Sequence, residues 1–278
     1  MTVRRVIINA DDFGMAEAVN DGVREALGAG TISSVSCMTN MPGWPQAAAL
    51  LRQRPQIAAG VHLVCNEGRP VLPPDRVAPL VDSGGRFLPD RVLFRRLSSD
   101  LERALVAELR AQIERFIADT GNRPTHLDNH CAISYARPAA FRATIRLAAE
   151  YGLPIRLPFG DDWWERSRAA AARFRFPALP VRLLGWYFRA HVRRAGVAHP
   201  STFRHEFSTD GQRTAESLIS LLGALRPGWT TEILCHPGRG EPWREADLRA
   251  LLDARVAAAL AAPDIELVSF AALGRQAR

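Results

Sequence analysis

The chain has 278 residues, 47% hydrophobic and 23% charged, an ordinary globular composition long enough for one large α/β domain or two small ones. Its net charge is +7 and all 36 basic residues are arginine, which excludes Schiff-base chemistry and a phosphate-loop lysine. No nucleic-acid motif accompanies the basic charge and no apolar run approaches ~18 residues, so neither a nucleic-acid partner nor a membrane span is expected.

A strand is expected over residues 3–9, then a helix over 17–27 closed by Gly28. A second strand over 33–38, a helix over 45–52 and a third strand over 57–63 follow. Next come a long amphipathic helix over 101–118, a short strand over 125–128 and a helix over 139–150. Further strands are expected over 154–157, 231–235 and 265–270, with helices over 215–225 and 245–261. Two stretches break the rhythm: a loop over 69–89 rich in Pro and Gly, and an insert over 161–200 dense in aromatic residues and arginine. Alternation of β and α argues for a parallel sheet with helices outside, here a single-domain, distorted TIM-like (β/α) barrel. A doubly wound open sheet is the competing architecture. Four widely spaced cysteines without a CxxC read as reduced thiols, and the short apolar N-terminal stretch is no signal peptide, so a cytoplasmic protein is expected.

The acids and histidines fall at strand ends. Asp11 and Asp12 follow the first strand, His62 ends the third, and "THLDNH" places His126, Asp128 and His130 at and beyond the fourth. Arg156 lies on a later strand and His236 follows "TEILC". In a (β/α) barrel these ends open onto one face, where such folds keep their active sites. Two adjacent acids ending a buried strand must be hydrogen-bonded, neutralised or given a cation. A carboxylate and two imidazoles with one position left open suit a divalent ion; Asp12, His62 and one or both of His126 and His130 supply that set. Asp11 could then take a proton from the attacking water, and His236 could give one to a leaving group. A glycosidase pair made of Asp11 and Asp12 fits less well, because such enzymes space their carboxyls on separate elements.

Four motifs, "INADDFG", "GVHLVCNEGRP", "RPTHLDNH" and "EILCHPG", occur in this order over residues 8–238. Together they resemble the YdjC-like carbohydrate deacetylase family. The resemblance implies a distorted TIM-like barrel and metal-dependent removal of N-acetyl groups from amino sugars. It implies Asp12, His62 and His130 as ligands of one divalent ion, Asp11 as base and His236 as general acid. Arg156 in "RLPF" is similar to an arginine that orients the base in the wider polysaccharide deacetylases. His126, Asp128 and Asn40 are expected near the substrate or behind the ligands. Two imidazoles and a carboxylate favour zinc, with magnesium, cobalt or nickel as alternatives.

The motif "DNHCAI" departs from the family, with Asn129 where Ser is usual and Cys131, Ala132 and Ile133 at often polar positions. The stretch "HLV…GRPVLPP" is similar to family members associated with hopanoid biosynthesis. The expected substrate is therefore an N-acetylglucosaminyl glycolipid such as a glycosylated hopanoid, with soluble chito-oligosaccharides as the alternative. A non-catalytic metal- or lipid-binding barrel is the remaining reading. Within the insert, Arg182, Arg189 and Arg193 share a helical face opposite Leu184, Tyr187 and Phe188. Such a helix either touches an anionic membrane surface through residues 163–195 or packs on the barrel.

Overall fold

The computed structural model describes residues 2–93, 99–130, 138–162 and 178–274. Strands β1 (Arg4–Phe13), β2 (Ser34–Cys37), β3 (Ala59–Leu63), β4 (Leu127–Asn129), β5 (Thr202–Arg204), β6 (Thr230–Cys235) and β7 (Ile265–Leu267) form one sheet. Its order is β4-β3-β2-β1-β6-β5, every pair parallel, with β7 joined to the first residues of β1. Between the strands run α1 (Glu17–Ala29), α2 (Trp44–Gln53), α3 (Ser99–Thr120), α4 (Pro138–Tyr151), α5 (Ala178–Ala195), α6 (Ala215–Gly223), α7 (Pro242–Leu251) and α8 (Ala254–Leu260).

The sheet curls, and one segment links its two edges. Ile155 bridges Leu127 in parallel and donates its N–H to the Ala198 carbonyl at 2.9 Å. Asp161 N–H reaches Ser201 O at 2.6 Å, so one extended segment spans the gap between β4 and the approach to β5. Curling separates two cores. Val6, Ile8 and Ala10 face outward into the large cluster under the helices, while Ile7 packs inside with Phe270 and Leu273. The period-2 alternation of β1 thus sends its even residues to the helices and Ile7, Asn9 and Asp11 to the interior.

The expected α/β architecture is present as a curled, parallel half-barrel sheet consistent with a TIM-like barrel, with local corrections. β1 runs through Asp11 and Asp12 rather than stopping before them, and α1 continues to Ala29 with left-handed Gly30 as its cap. The strand expected over 154–157 pairs only through the Ile155 bridge, while β5, absent from the sequence reading, supplies the neighbouring position. The helix expected over 245–261 is two, because Asp253 caps the second by accepting from Arg255 N–H. The loop expected over 69–89 contains a 3-10 helix (Pro74–Leu80) and a Val81–Phe87 bridge. Much of the insert, 163–177, lies outside the described residues, as do Cys131, Ala132 and Ile133; α5 is its described part. There Phe188 is fully buried against Phe141 and Phe159, so one face of α5 packs on the barrel as the second expectation had it.

Candidate metal centre

The two adjacent aspartates are turned to the same mouth by a break in the strand. Between Ala10 and Phe13, β1 has one more residue than β2, and Asp12 sits at φ 66°, the one left-handed non-glycine residue among those described. A bulge of this kind re-aims a side chain that regular alternation would send to the other face. Aspartate tolerates the left-handed region better than most residues.

Asp12 Oδ2 accepts from Arg244 Nη2 at 2.7 Å. Its Oδ1 is buried without a hydrogen-bond partner, 3.3 Å from His130 Nδ1 and 3.5 Å from His62 Nε2. These three residues offer ligand atoms within 4.8 Å of one another. Burial would raise the Asp12 pKa, but contact with His130 and the charges of His236 and His62 hold it well below the usual carboxylate range.

Each imidazole is held from behind by a carboxylate. His62 Nδ1 lies 3.0 Å from Asp128 Oδ1, and His130 Nε2 lies 2.9 Å from Glu67 Oε2. Such partners fix the ring orientation and the tautomer, leaving Nε2 of His62 and Nδ1 of His130 turned to Asp12. Burial lowers the His62 pKa, but Asp128 and Asp11 outweigh it and raise the ring above its ordinary value. A divalent ion would need the neutral form of both rings, with these two nitrogens as ligand atoms. The orphaned Asp12 oxygen and two carboxylate-backed imidazoles fit a divalent ion.

A second triad, Asp11, His62 and Asp128, is also close enough for a metal. It already has its cation. Arg156 donates to both oxygens of Asp11 at 2.7 Å, and its Nη1 stands 2.8 Å from Asp128 Oδ2. Its Nε donates to Glu232 Oε1 at 2.6 Å. Three acids thus surround one guanidinium, and burial pushes the Glu232 carboxyl up to about 8 despite Arg156. Glu232 carrying a proton near neutrality limits the uncompensated negative charge in the barrel. Asn9 Nδ2 completes the setting of Asp11, donating to its Oδ1 at 2.7 Å and to Ser36 Oγ at 2.8 Å.

The remaining expected residues sit differently. His126 is a layer below the ligands, fully buried, with Nε2 at 3.0 Å from Ser36 Oγ and its ring stacked 3.9 Å from Phe270. It is not part of the ligand cluster, which corrects the option of His126 as a ligand. Burial drops its pKa to about 4, keeping the ring neutral. Its space exists because Gly60 lies alongside: a Cβ there would fall on the imidazole. Asn40 spends its amide on the carbonyls of Glu67 and Arg69, both at 3.1 Å, and so pins the loop that carries Glu67. Gln112 on α3 holds the start of the same loop through Val64 N–H at 2.9 Å and Val64 O at 2.7 Å.

His236 follows directly on the Cys235–Ala10 pair, which puts it beside Asp11 across the mouth. Its backbone N–H donates to the buried Asp247 Oδ2 at 2.8 Å, and its ring meets the Trp243 edge. Burial lowers its pKa, more than Asp12 and Asp11 restore, and its Nδ1 has no hydrogen-bond partner. Sequence reasoning missed Glu67, Glu232 and Arg244. Glu67 could have been found as the acid inside "GVHLVCNEGRP" and Glu232 as a charge in the middle of an apolar strand; Arg244 gave no local signal.

A family model described as YdjC-like protein matches residues 5–262. A carbohydrate deacetylase of Geobacillus stearothermophilus is 32% identical over 279 residues, 96% of this chain and 97% of that one. A chitooligosaccharide deacetylase of Serratia marcescens is 36% identical over 152 residues, covering 55% of this chain and 58% of that one. A crystal structure from Enterococcus faecalis, of a protein named for cellobiose-phosphate cleavage, matches with a TM-score of 0.79 and 25% identity over 98% of this chain and 99% of that one. With the motif residues gathered at one barrel mouth and a family match spanning most of the sequence, the chain belongs to the YdjC-like protein family.

Proposed function

We propose that the centre is a metal-dependent N-deacetylase of N-acetylamino sugars, with Asp12, His62 and His130 as the metal ligands. The observation that carries this is the buried, unpartnered Asp12 Oδ1 between two carboxylate-backed imidazoles, beside an aspartate clamped by arginine. The names of the similar deacetylases support the same reading. A divalent ion, zinc in preference to magnesium, cobalt or nickel, supplies charge stabilisation for the oxyanion that develops on the acetamide carbonyl.

The chain's own residues handle the protons. Asp11 accepts the proton of the attacking water, and the guanidinium of Arg156 orients its carboxylate through two parallel hydrogen bonds. His236 delivers a proton to the amide nitrogen, which cannot leave as an anion at neutral pH. Burial favours the neutral ring at rest, so the proton that His236 gives up is the one Asp11 takes from water, which returns Asp11 to its carboxylate form. Acetate and a free amino sugar result. Asp128 and Glu67 orient the two imidazoles, and Arg244 holds Asp12 by one oxygen so that the other stays free.

For the substrate we favour an N-acetylglucosaminyl glycolipid such as a glycosylated hopanoid, met at the inner face of the cytoplasmic membrane. The supporting observation is on α5, where Trp186 is 66% and Leu183 57% exposed. Metal analysis of the purified protein, paired with a free-amine assay across soluble and lipid-linked N-acetylamino sugars, tests both levels. Efficient turnover of soluble chito-oligosaccharides with none of the glycolipid would overturn the finer reading. No amine release from any N-acetyl sugar in the zinc-loaded protein would overturn the coarser one and favour a non-catalytic barrel.

A further inference from the structure

Outside the metal centre, α3, α4 and α5 enclose an open groove of about 1080 Å³ that none of the centre's residues lines. Its floor includes Val106 and Ile145, and its walls carry five arginines against one glutamate. Arg142 is engaged by Glu102 at 3.2 Å and Tyr187 Oη at 3.0 Å, and Arg110 by Glu150 at 2.6 Å. Arg146 and Arg194 are exposed and, among the described residues, form no ion pair or hydrogen bond. Two guanidiniums without an ion pair, Arg146 with the charge of Glu150 near it, complement an anionic group attached to something apolar.

The same face continues along α5. Leu183 and Arg194 are separated by about three helical turns and fall on one stripe, with Trp186 beside it. That stripe is apolar and aromatic at one end and cationic at the other, where Arg193 is also exposed. A soluble anion would need only the guanidiniums. An exposed tryptophan and leucine next to them match the interfacial layer of a bilayer, where aromatic rings sit at headgroup level and arginine pairs with phosphate.

We propose that this face docks on an anionic phospholipid surface, with headgroup phosphates on Arg146 and Arg194 and with Leu183 and Trp186 in the interfacial layer. The docking face deepens the membrane-located reading above, which rests on the same Trp186 and Leu183, but it does not depend on the deacetylase chemistry of the metal centre.

The test is co-sedimentation of the full chain with phosphatidylglycerol vesicles and with phosphatidylcholine vesicles. Salt-sensitive binding to phosphatidylglycerol alone is expected, weakened about thirty-fold in an Arg146→Gln/Arg194→Gln variant and further weakened by Trp186→Ala. An Arg54→Gln/Arg249→Gln variant loses the same charge from exposed positions elsewhere and should bind like wild type. The proposal is overturned if wild type ignores phosphatidylglycerol vesicles, if both double variants lose binding equally, or if the groove takes inorganic pyrophosphate while the chain ignores vesicles. Amine release from a soluble chito-oligosaccharide, read in parallel, should be unchanged in every variant; its failure in wild type would count against the metal centre and not against the docking face.

Discussion

Removing Glu67 should weaken metal binding without touching a ligand. Its Oε2 holds His130 Nε2 at 2.9 Å, and Asn40 fixes the loop that presents it. A hydrogen bond between charged partners contributes about 1.5–3 kcal/mol. The Glu67 side chain is 40% exposed, and solvent screening reduces the contribution to about 1–2 kcal/mol. At 1.4 kcal/mol per decade that is about a 5- to 30-fold loss of zinc affinity in Glu67→Ala, overlapping the lower part of the range for carboxylates behind metal-binding imidazoles. Glu67→Gln keeps an acceptor without the charge and should fall between that variant and wild type. Competition against a chromophoric zinc chelator at fixed pH measures all three, with His62→Ala as the reference for a lost ligand. Zinc affinity in Glu67→Ala within twofold of wild type would refute the claim that Glu67 sets the His130 ring.

The two aspartates should fail differently: Asp11→Asn keeps zinc but loses about 10²- to 10⁴-fold in turnover, whereas Asp12→Asn loses zinc, as metal content and amine release together will show. Gly60→Ala should cost about 1–3 kcal/mol, read by denaturant unfolding, because its methyl falls on an imidazole already stacked on Phe270. Burial of neutral His126 makes stability fall with acid, since its folded pKa of about 4 lies below the ordinary 6.5. That contribution is intact above pH 6.5 and declines by on the order of 3 kcal/mol as pH falls towards 4; His126→Gln should abolish this part of the slope in unfolding curves taken across that window.

What was legible in the sequence follows from how local each signal is. The β/α alternation and the strand-end placement of Asp11, Asp12, His62, Asp128, His130, Arg156 and His236 depend on patterns within a few residues, and the structure brings all seven to one mouth. The roles of Glu67 and Arg244 depend on loops and helices meeting over long separations, 63 residues to His130 and 232 to Asp12. His126 shows the opposite limit. It shares a motif and a strand face with Asp128, yet two residues along a strand is a whole layer of the barrel, so it serves the core. Strand β5 is only three residues long, Thr202–Arg204, too short for an alternation to show, and only pairing with β6 makes it a strand.

The choice between the two candidate cation sites turns on charge already in place. Asp11, Asp128 and Glu232 converge on Arg156, whose guanidinium satisfies the interior and cannot leave. A dipositive ion placed in that triad would face a fixed positive charge within hydrogen-bond distance of two of its ligands, at strength little screened in a buried site. Asp12 escapes this because the bulge and its left-handed backbone lift it out of the layer that Arg156 fills. Arg244 reaches only the far oxygen, leaving Oδ1 turned to His62 and His130. One extra residue in β1 therefore separates an aspartate committed to an arginine from a neighbour whose oxygen is left open for the proposed metal. Deleting that residue's conformation, by substituting valine for Asp12, should fail to be rescued by a carboxylate at position 11, because Asp11 is held by the guanidinium in a layer the ion cannot share; zinc bound at wild-type affinity in Asp12→Val would show that the lower triad takes the metal after all.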